Sequence, residues 1–177
     1  MLYSTSSSVS DSPLSLLEQS RLSDFLTDCN LDPDAVTTLI QPVLQAKKRC
    51  QTSSFYIQAV TAGHVSFLAS NLTGVRELQV TEAASQWLIG RSSACAIAVA
   101  NPQLSRRHAV VGHCAEGFYV TDVGSSNGTW VNGRRLVAME RQLLRDGDVM
   151  RLGSMRVEFF VLACEGDRCD SLDITCH

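Results

Sequence analysis

The 177-residue sequence predicts a mainly β fold, an antiparallel β-sandwich with an N-terminal α-helical segment. Short apolar runs carry the first part of this reading. Trp87-Leu88-Ile89, Ala96-Ile97-Ala98-Val99, Ala109-Val110-Val111 and Phe118-Tyr119-Val120 are each bounded by Gly, Asn, Asp or Ser, the alternation of strand and loop. Turn chemistry carries the second. Asn132-Gly133 suits a type I′ hairpin, Gly153-Ser154 a type II′ hairpin, and Asp146-Gly147-Asp148 another turn. Before residue 50 the apolar residues instead recur at helical spacing.

Taken in order, residues 1–12 are rich in Ser with little to bury and are expected to be a disordered leader, in which Thr5 is a candidate phosphosite for another copy. Residues 13–50 are expected to be helical and to pair as a hairpin. Ser12-Pro13 reads as a cap followed by proline at the first helical position, and Leu14, Leu17, Leu22, Phe25, Leu26 and Cys29 form a stripe ending near Thr27. Asp32 caps a second helix that starts at Pro33, with Val36, Leu39, Ile40, Val43 and Leu44 on one face. Asp34 at its start and Lys47, Lys48 and Arg49 at its end suit the helix dipole. Pro42 removes a backbone hydrogen bond at a cost of about 3 kcal/mol, which predicts a kink or break. Helices this short need tertiary packing, so they must dock on the sandwich, on a second copy or on another protein.

Residues 51–76 read as a connector in which neither period wins. Phe55-Tyr56-Ile57 and Val65-Ser66-Phe67-Leu68 have the composition of a core, yet Gly63 and Asn71 interrupt them. Residues 77–163 are the expected sandwich, with Leu78 and Val80 in its first strand and Trp87, Ile89, Ile97, Val99, Val110, Tyr119, Val149, Leu152, Val157, Phe159 and Val161 as core candidates. Residues 164–177 form an acidic, Cys-containing tail. Cys164, Cys169, Cys176 and His177 lack the paired spacing of a zinc site, so no metal is expected.

Charge narrows the function. The net charge of -3 opposes general nucleic-acid binding, although residues 85–160 alone come to +3 and each flank to -3. Seven scattered cysteines, an odd count, point to a reducing compartment rather than a disulfide framework. No run approaches the roughly 20 apolar residues of a membrane span, and the start lacks the pattern of a secretory signal, so a cytoplasmic protein without membrane insertion is expected.

Three polar clusters punctuate the strands: Gly90-Arg91, Ser105-Arg106-Arg107-His108, and Gly124 to Thr129 running on to Asn132-Gly133. Arg91, Arg106 and Arg107 offer cations, Ser105, Ser125 and Ser126 hydroxyls, and Asn127 an amide, with no carboxylate in the clusters themselves and Asp122 just before the third. Forked guanidinium and hydroxyl donors are what a phosphate requires. Gly124 and Gly128 permit positive φ, in which successive N–H groups converge on an anion.

The order Gly90-Arg91, Ser105-x-x-His108, Ser125-Ser126-Asn127-Gly128-Thr129-Trp130 and Asn132-Gly133 closely resembles the forkhead-associated (FHA) domain, a β-sandwich that recognises phosphothreonine peptides. The resemblance spans roughly Leu78 to Ala163, about half the chain. It implies that Arg91 and Ser105 bind the phosphate, that Arg106 and Ser126 assist, and that Asn127 holds the peptide main chain. It gives Gly90, His108, Gly128, Asn132 and Gly133 the support of the binding loops, and it implies no cofactor. Arg107 is not assigned to the ligand. The expected function is a non-catalytic adaptor in Ser/Thr kinase signalling whose partner carries phosphothreonine.

An enzyme is the other class to weigh. Ser105, His108 and Asp122 are the residue types of a hydrolytic triad, but Ser105 lies in no Gly-x-Ser-x-Gly elbow, and there is no P-loop Lys and no metal-binding carboxylate pair. The remaining alternative is a scaffold with an unused phosphate pocket, which assembles as a homo-oligomer or with a partner protein through the N-terminal helices and sheet faces.

Overall fold

A computed structural model describes residues 16–31, 33–74 and 77–164. The Ser-rich leader with Thr5, the Ser12-Pro13 start, the Asp32 cap and the tail beyond Cys164 lie outside these residues. Among the described residues, α1 (Leu16–Asp28) and α2 (Pro33–Gln45) are followed by a 3-10 turn, Ala46–Arg49. Twelve strands come next: β1 (Phe55–Ala62), β2 (Val65–Ser70), β3 (Gln79–Val80), β4 (Gln86–Gly90), β5 (Ile97–Ala98) and β6 (Ala109–Cys114), then β7 (Gly117–Asp122), β8 (Thr129–Val131), β9 (Arg134–Arg135), β10 (Arg141–Leu143), β11 (Val149–Leu152) and β12 (Met155–Cys164).

The strands make two sheets, one ordered β3-β2-β1-β12-β11-β8-β9 and the other β10-β7-β6-β4-β5. Most neighbours are antiparallel, as expected, but β1 runs parallel to β12 and β4 parallel to β5. The connector of residues 51–76 therefore holds the second and third strands of the larger sheet, and Leu78-Val80 leads into its edge strand instead of opening the sandwich. Gly63, which reads as an interruption, has φ +57° and turns β1 into β2 through the two-residue loop Gly63-His64.

Side chains alternate across a strand, so a register shift of one residue exchanges its faces. Ile57, Leu68, Trp87, Ile89, Val111, Phe118, Val120, Met150, Val157 and Phe159 fill the space between the sheets. Val110 and Val149, expected in this core, are half-buried on the other face, and Val161 is also half-buried at its edge. Tyr119 is buried, but outside: it pairs with Gly112, where an added Cβ would lie 2.3 Å from its ring, and receives Gln86 Nε2 at 3.1 Å.

The helices form a third layer on the outer face of the larger sheet. Leu22, Leu26, Val36, Leu39 and Val43 pack on Val60, Val65, Phe67 and Ala69 of β1 and β2, and the Phe25 ring meets Phe67 edge-on at 5.1 Å. Of the three docking modes open to the hairpin, this one uses its apolar faces inside the chain. Asn30, at φ +56°, ends α1 in the left-handed cap that asparagine tolerates. The break expected at Pro42 does not occur, because α2 continues to Gln45 with Leu39 and Val43 fully buried on either side of the proline. Tertiary burial offsets the one missing bond.

Two polar contacts fix the end of this layer. Arg49 binds Asp146 at 2.5 Å and lies 4.3 Å over the Phe160 ring, so it serves as a tertiary tie beyond the dipole role read from sequence. Glu158, nearly buried, accepts the backbone N–H groups of Gln51, Thr52 and Ser53 at 2.5 to 2.9 Å. Burial alone would raise its carboxyl, but these donors hold it below the usual range. No helix among the described residues is long and apolar enough to cross a membrane.

Candidate functional site

The loops after β4, before β6 and between β7 and β8 meet at one end of the smaller sheet. The N–H of Arg91 donates to Ser105 O at 3.0 Å and that of Ser92 to Arg106 O at 3.1 Å, so the first two loops run side by side. Gly90 makes this possible, since a Cβ there would stand 2.4 Å from Arg106 O. Arg91 is exposed, and its Nε donates to Leu104 O at 3.3 Å. Its two terminal nitrogens bond nothing among the described residues. In the loop after β4 the Cys95 thiol donates to Arg106 O at 3.2 Å, and burial pushes that thiol up, which makes it a prop and not a nucleophile.

The third loop joins through hydroxyls. Ser105 Oγ accepts the N–H of Ser126 at 2.9 Å and lies 3.4 Å from Ser126 Oγ. Asn127, also exposed, donates from Nδ2 to the main-chain and side-chain oxygens of Gln103 at 2.9 and 3.1 Å, leaving Oδ1 without a partner among the described residues.

Two buried groups hold these loops. His108 accepts the N–H of Ser105 at Nδ1, 3.2 Å away, so the ring carries its proton on Nε2 and donates it to Gly128 O at 3.1 Å. Asp122 accepts from Gly124 N and Ser125 N at 2.8 Å each, from Ser125 Oγ at 2.5 Å and from Thr129 Oγ1 at 2.7 Å. Burial opposes its charge, but the bonds from Ser125, Thr129 and Gly124 prevail and keep its carboxyl below the usual range.

Residues 87–153 match the family model of the FHA domain. The chain carries an FHA domain. Over 108 residues it is 33% identical to human kanadaptin, a stretch covering 55% of this chain and 14% of that protein. Among solved structures, the N-terminal FHA domain of Rad53p from S. cerevisiae, in complex with a phosphothreonine peptide, is 33% identical over 38% of this chain and 56% of that one, with a TM-score of 0.36. An FHA domain from Chlamydia trachomatis is 18% identical and covers 59% of this chain and 96% of its own, with a TM-score of 0.42. The chain spans between 12% and 17% of the length of the curated relatives it matches.

Within the FHA domain, Arg91, Ser105, Ser126 and Asn127 come to adjoining loops, while the side chains of Arg106 and Arg107 are exposed nearby and form no ion pair among the described residues. Ser125 departs from its reading as a phosphate donor. Its hydroxyl faces inward to Asp122 and accepts Gly128 N–H at 2.9 Å. The N–H groups of Gly124 and Ser125 do converge on an anion, but the anion is Asp122. Asn132 and Gly133, at φ +50° and +84°, form the hairpin turn at the far end of β8. There Asn132 bonds Asp148 and Val149, away from the loops it was expected to support. The Ser105, His108 and Asp122 side chains do not bond one another, so the triad reading finds no geometry here.

Two residues support the loops in a way that no local signal announces, although Gly153 reads as a turn residue. Gln103 anchors Asn127, and Gly153 donates its N–H to Gly128 O at 3.0 Å with no room for a Cβ, which would lie 2.6 Å from Gln103 O. Only the approach of β11 to the first loops identifies them.

Burial holds the His108 imidazole below its ordinary value, despite the raising influence of Gly128 and Asp122. Protonation would also place a second N–H at Nδ1 against that of Ser105. As pH falls below about 6.5 the unfolded chain takes up the proton first, so this part of the stability is full above that range and declines below it. Urea midpoints at pH 7.5 and 5.5 should show the wild type losing stability, and His108→Ala should start about 1 to 3 kcal/mol lower with a smaller further drop. Equal drops in the two proteins would contradict the buttress.

Proposed function

We propose that the FHA domain binds phosphothreonine on a partner protein and leaves it chemically unchanged. The observation that supports this most directly is the hydroxyl pair Ser105–Ser126, held at 3.4 Å on exposed loops beside a guanidinium with two unused nitrogens. Arg91 and Arg106 supply charge, the two hydroxyls supply donors, and Asn127 Oδ1 is available to a peptide N–H. Ser105 Oγ, now shared with Ser126, can turn its proton to a phosphate oxygen without moving the backbone. The domain in this reading is a non-catalytic adaptor acting downstream of a Ser/Thr kinase. Free Cys29, Cys50, Cys95 and Cys114 support a reducing, cytoplasmic setting.

A threonine preference follows if the methyl group meets an apolar notch. That contact is worth roughly 0.8 kcal/mol, about fourfold in affinity over phosphoserine. Titration of the full chain with a phosphothreonine peptide and its unphosphorylated form tests the reading. Binding should require the phosphate and weaken with salt, and Ser105→Ala should lower affinity by about 1 kcal/mol or more while the chain stays folded. Equal affinity for the two peptides would end it. The scaffold alternative loses ground because the apolar faces of α1 and α2 are already spent on β1 and β2.

A further inference from the structure

A second set of cations lies outside the loop cluster. The register of the larger sheet sets Arg135 opposite Trp130, Trp130 opposite Arg151, and Arg151 opposite Arg156. All four point away from the core, because the alternating neighbours Val131, Met150 and Val157 fill it. The Arg151 guanidinium lies 3.4 Å from the Trp130 ring centroid and that of Arg135 5.3 Å. With Asn132 and Val149, the side chains of Trp130, Arg151 and Arg156 border a shallow depression of about 380 Å³. The three arginines are exposed, and the ion pairs among the described residues, Arg49–Asp146 and Arg134–Glu140, use none of them.

We propose that this row is a second docking site, for an acidic, unphosphorylated peptide strand of a partner protein. Three guanidinium groups that form no ion pair among the described residues call for carboxylates. Adjacent strands stand about 4.8 Å apart, so Arg135 to Arg156 spans about 14 Å. An extended peptide places alternate side chains on one face about 6.8 Å apart, which brings two or three carboxylates within reach of successive arginines. Stacking on Trp130 holds the Arg151 fork in place, and a bidentate carboxylate then costs less side-chain freedom.

Other occupants fit less well. A nucleic acid strand would use Trp130 as a stacking platform, but Arg151 already covers one face of that ring. The row approaches the phosphate loops at Gly128, where an added Cβ would touch Trp130 and Arg135, and at Gly153, whose carbonyl accepts Arg151 Nη1 at 3.4 Å.

The test uses the full chain and a fluorescein-labelled dodecapeptide of alternating Glu and Ser, followed by anisotropy at low and physiological salt. Binding is expected, weakened at least tenfold by Arg151→Gln with Arg156→Gln, weakened to a lesser degree by Arg156→Gln alone, and changed less than twofold by Arg91→Ala. No binding, or binding that the double substitution leaves intact, overturns the proposal. So does tighter binding of an oligouridylate with the same arginine dependence, or sedimentation showing that the row joins two copies of the chain. Because the probe carries no phosphate, a negative result here leaves phosphothreonine binding a separate question.

Discussion

Replacing Asp122 with Ala is expected to destabilise the chain by about 3 kcal/mol, a fall in Tm of roughly 6 to 12 °C for a protein of this size. Asp122 is 4% exposed and gathers four hydrogen bonds, two from backbone N–H groups that have no other acceptor at hand. Alanine leaves Gly124 and Ser125 N–H unpaired, and water must enter or the loop must refold. Asp122→Asn keeps an oxygen for those two donors and should cost less. Its amide nitrogen can still meet the hydroxyls of Ser125 and Thr129 as acceptors. The pH dependence provides a second check. The folded carboxyl lies below its unfolded value, so its contribution is present above the usual carboxylate range, near pH 4, and is lost as pH falls through the folded value. Acid titration of the Asn variant should lack that component. If both variants melt with the wild type, the loop is held by something other than Asp122.

Substituting Arg91 with Ala should lower affinity for a phosphothreonine peptide roughly 10- to 150-fold, the equivalent of about 1.5 to 3 kcal/mol for a charge-assisted donor pair. Arg91 is exposed and its side chain makes one bond of 3.3 Å within the protein, so the melt should scarcely change. Arg91→Lys separates charge from geometry. It keeps the cation but loses the brace from Nε to Leu104 O and the two parallel donors, so it should recover only part of the loss. The wild-type advantage should shrink as salt is added. Undiminished affinity in the Ala variant would remove Arg91 from the site and, with it, the main support for a phosphate pocket.

How much of this was legible depends on how local the cause was. Asn132-Gly133 reads as a turn because two adjacent residues that tolerate positive φ determine it, and the observed φ values agree. Gly90 is legible as a motif residue, but its reason, contact with the carbonyl of Arg106, lies sixteen positions along the chain. Val110 and Val111 are equally apolar and adjacent, so composition cannot say which one faces the core; pairing with β4 and β7 decides that. The same limit explains Ser125 and Ser126. One hydroxyl turns to a buried carboxylate and the other to Ser105, and the two residues are chemically identical. Residues 51–76 resist reading for a related reason: β1 is buried on both faces, with the core below and helices above, so the period of two vanishes.

By itself the sequence determined several chain reversals, Asn132-Gly133 among them, that strands dominate after a short helical segment, and that three polar loops bear guanidinium, hydroxyl and amide groups. Each of these follows from backbone preferences or side-chain chemistry within a few residues. Tertiary structure alone decided that the helices cover β1 and β2, that the converging N–H groups of Gly124 and Ser125 hold Asp122, and that three arginines line up around Trp130. Those outcomes depend on contacts between distant segments, whose loop-closure cost and register no local pattern encodes.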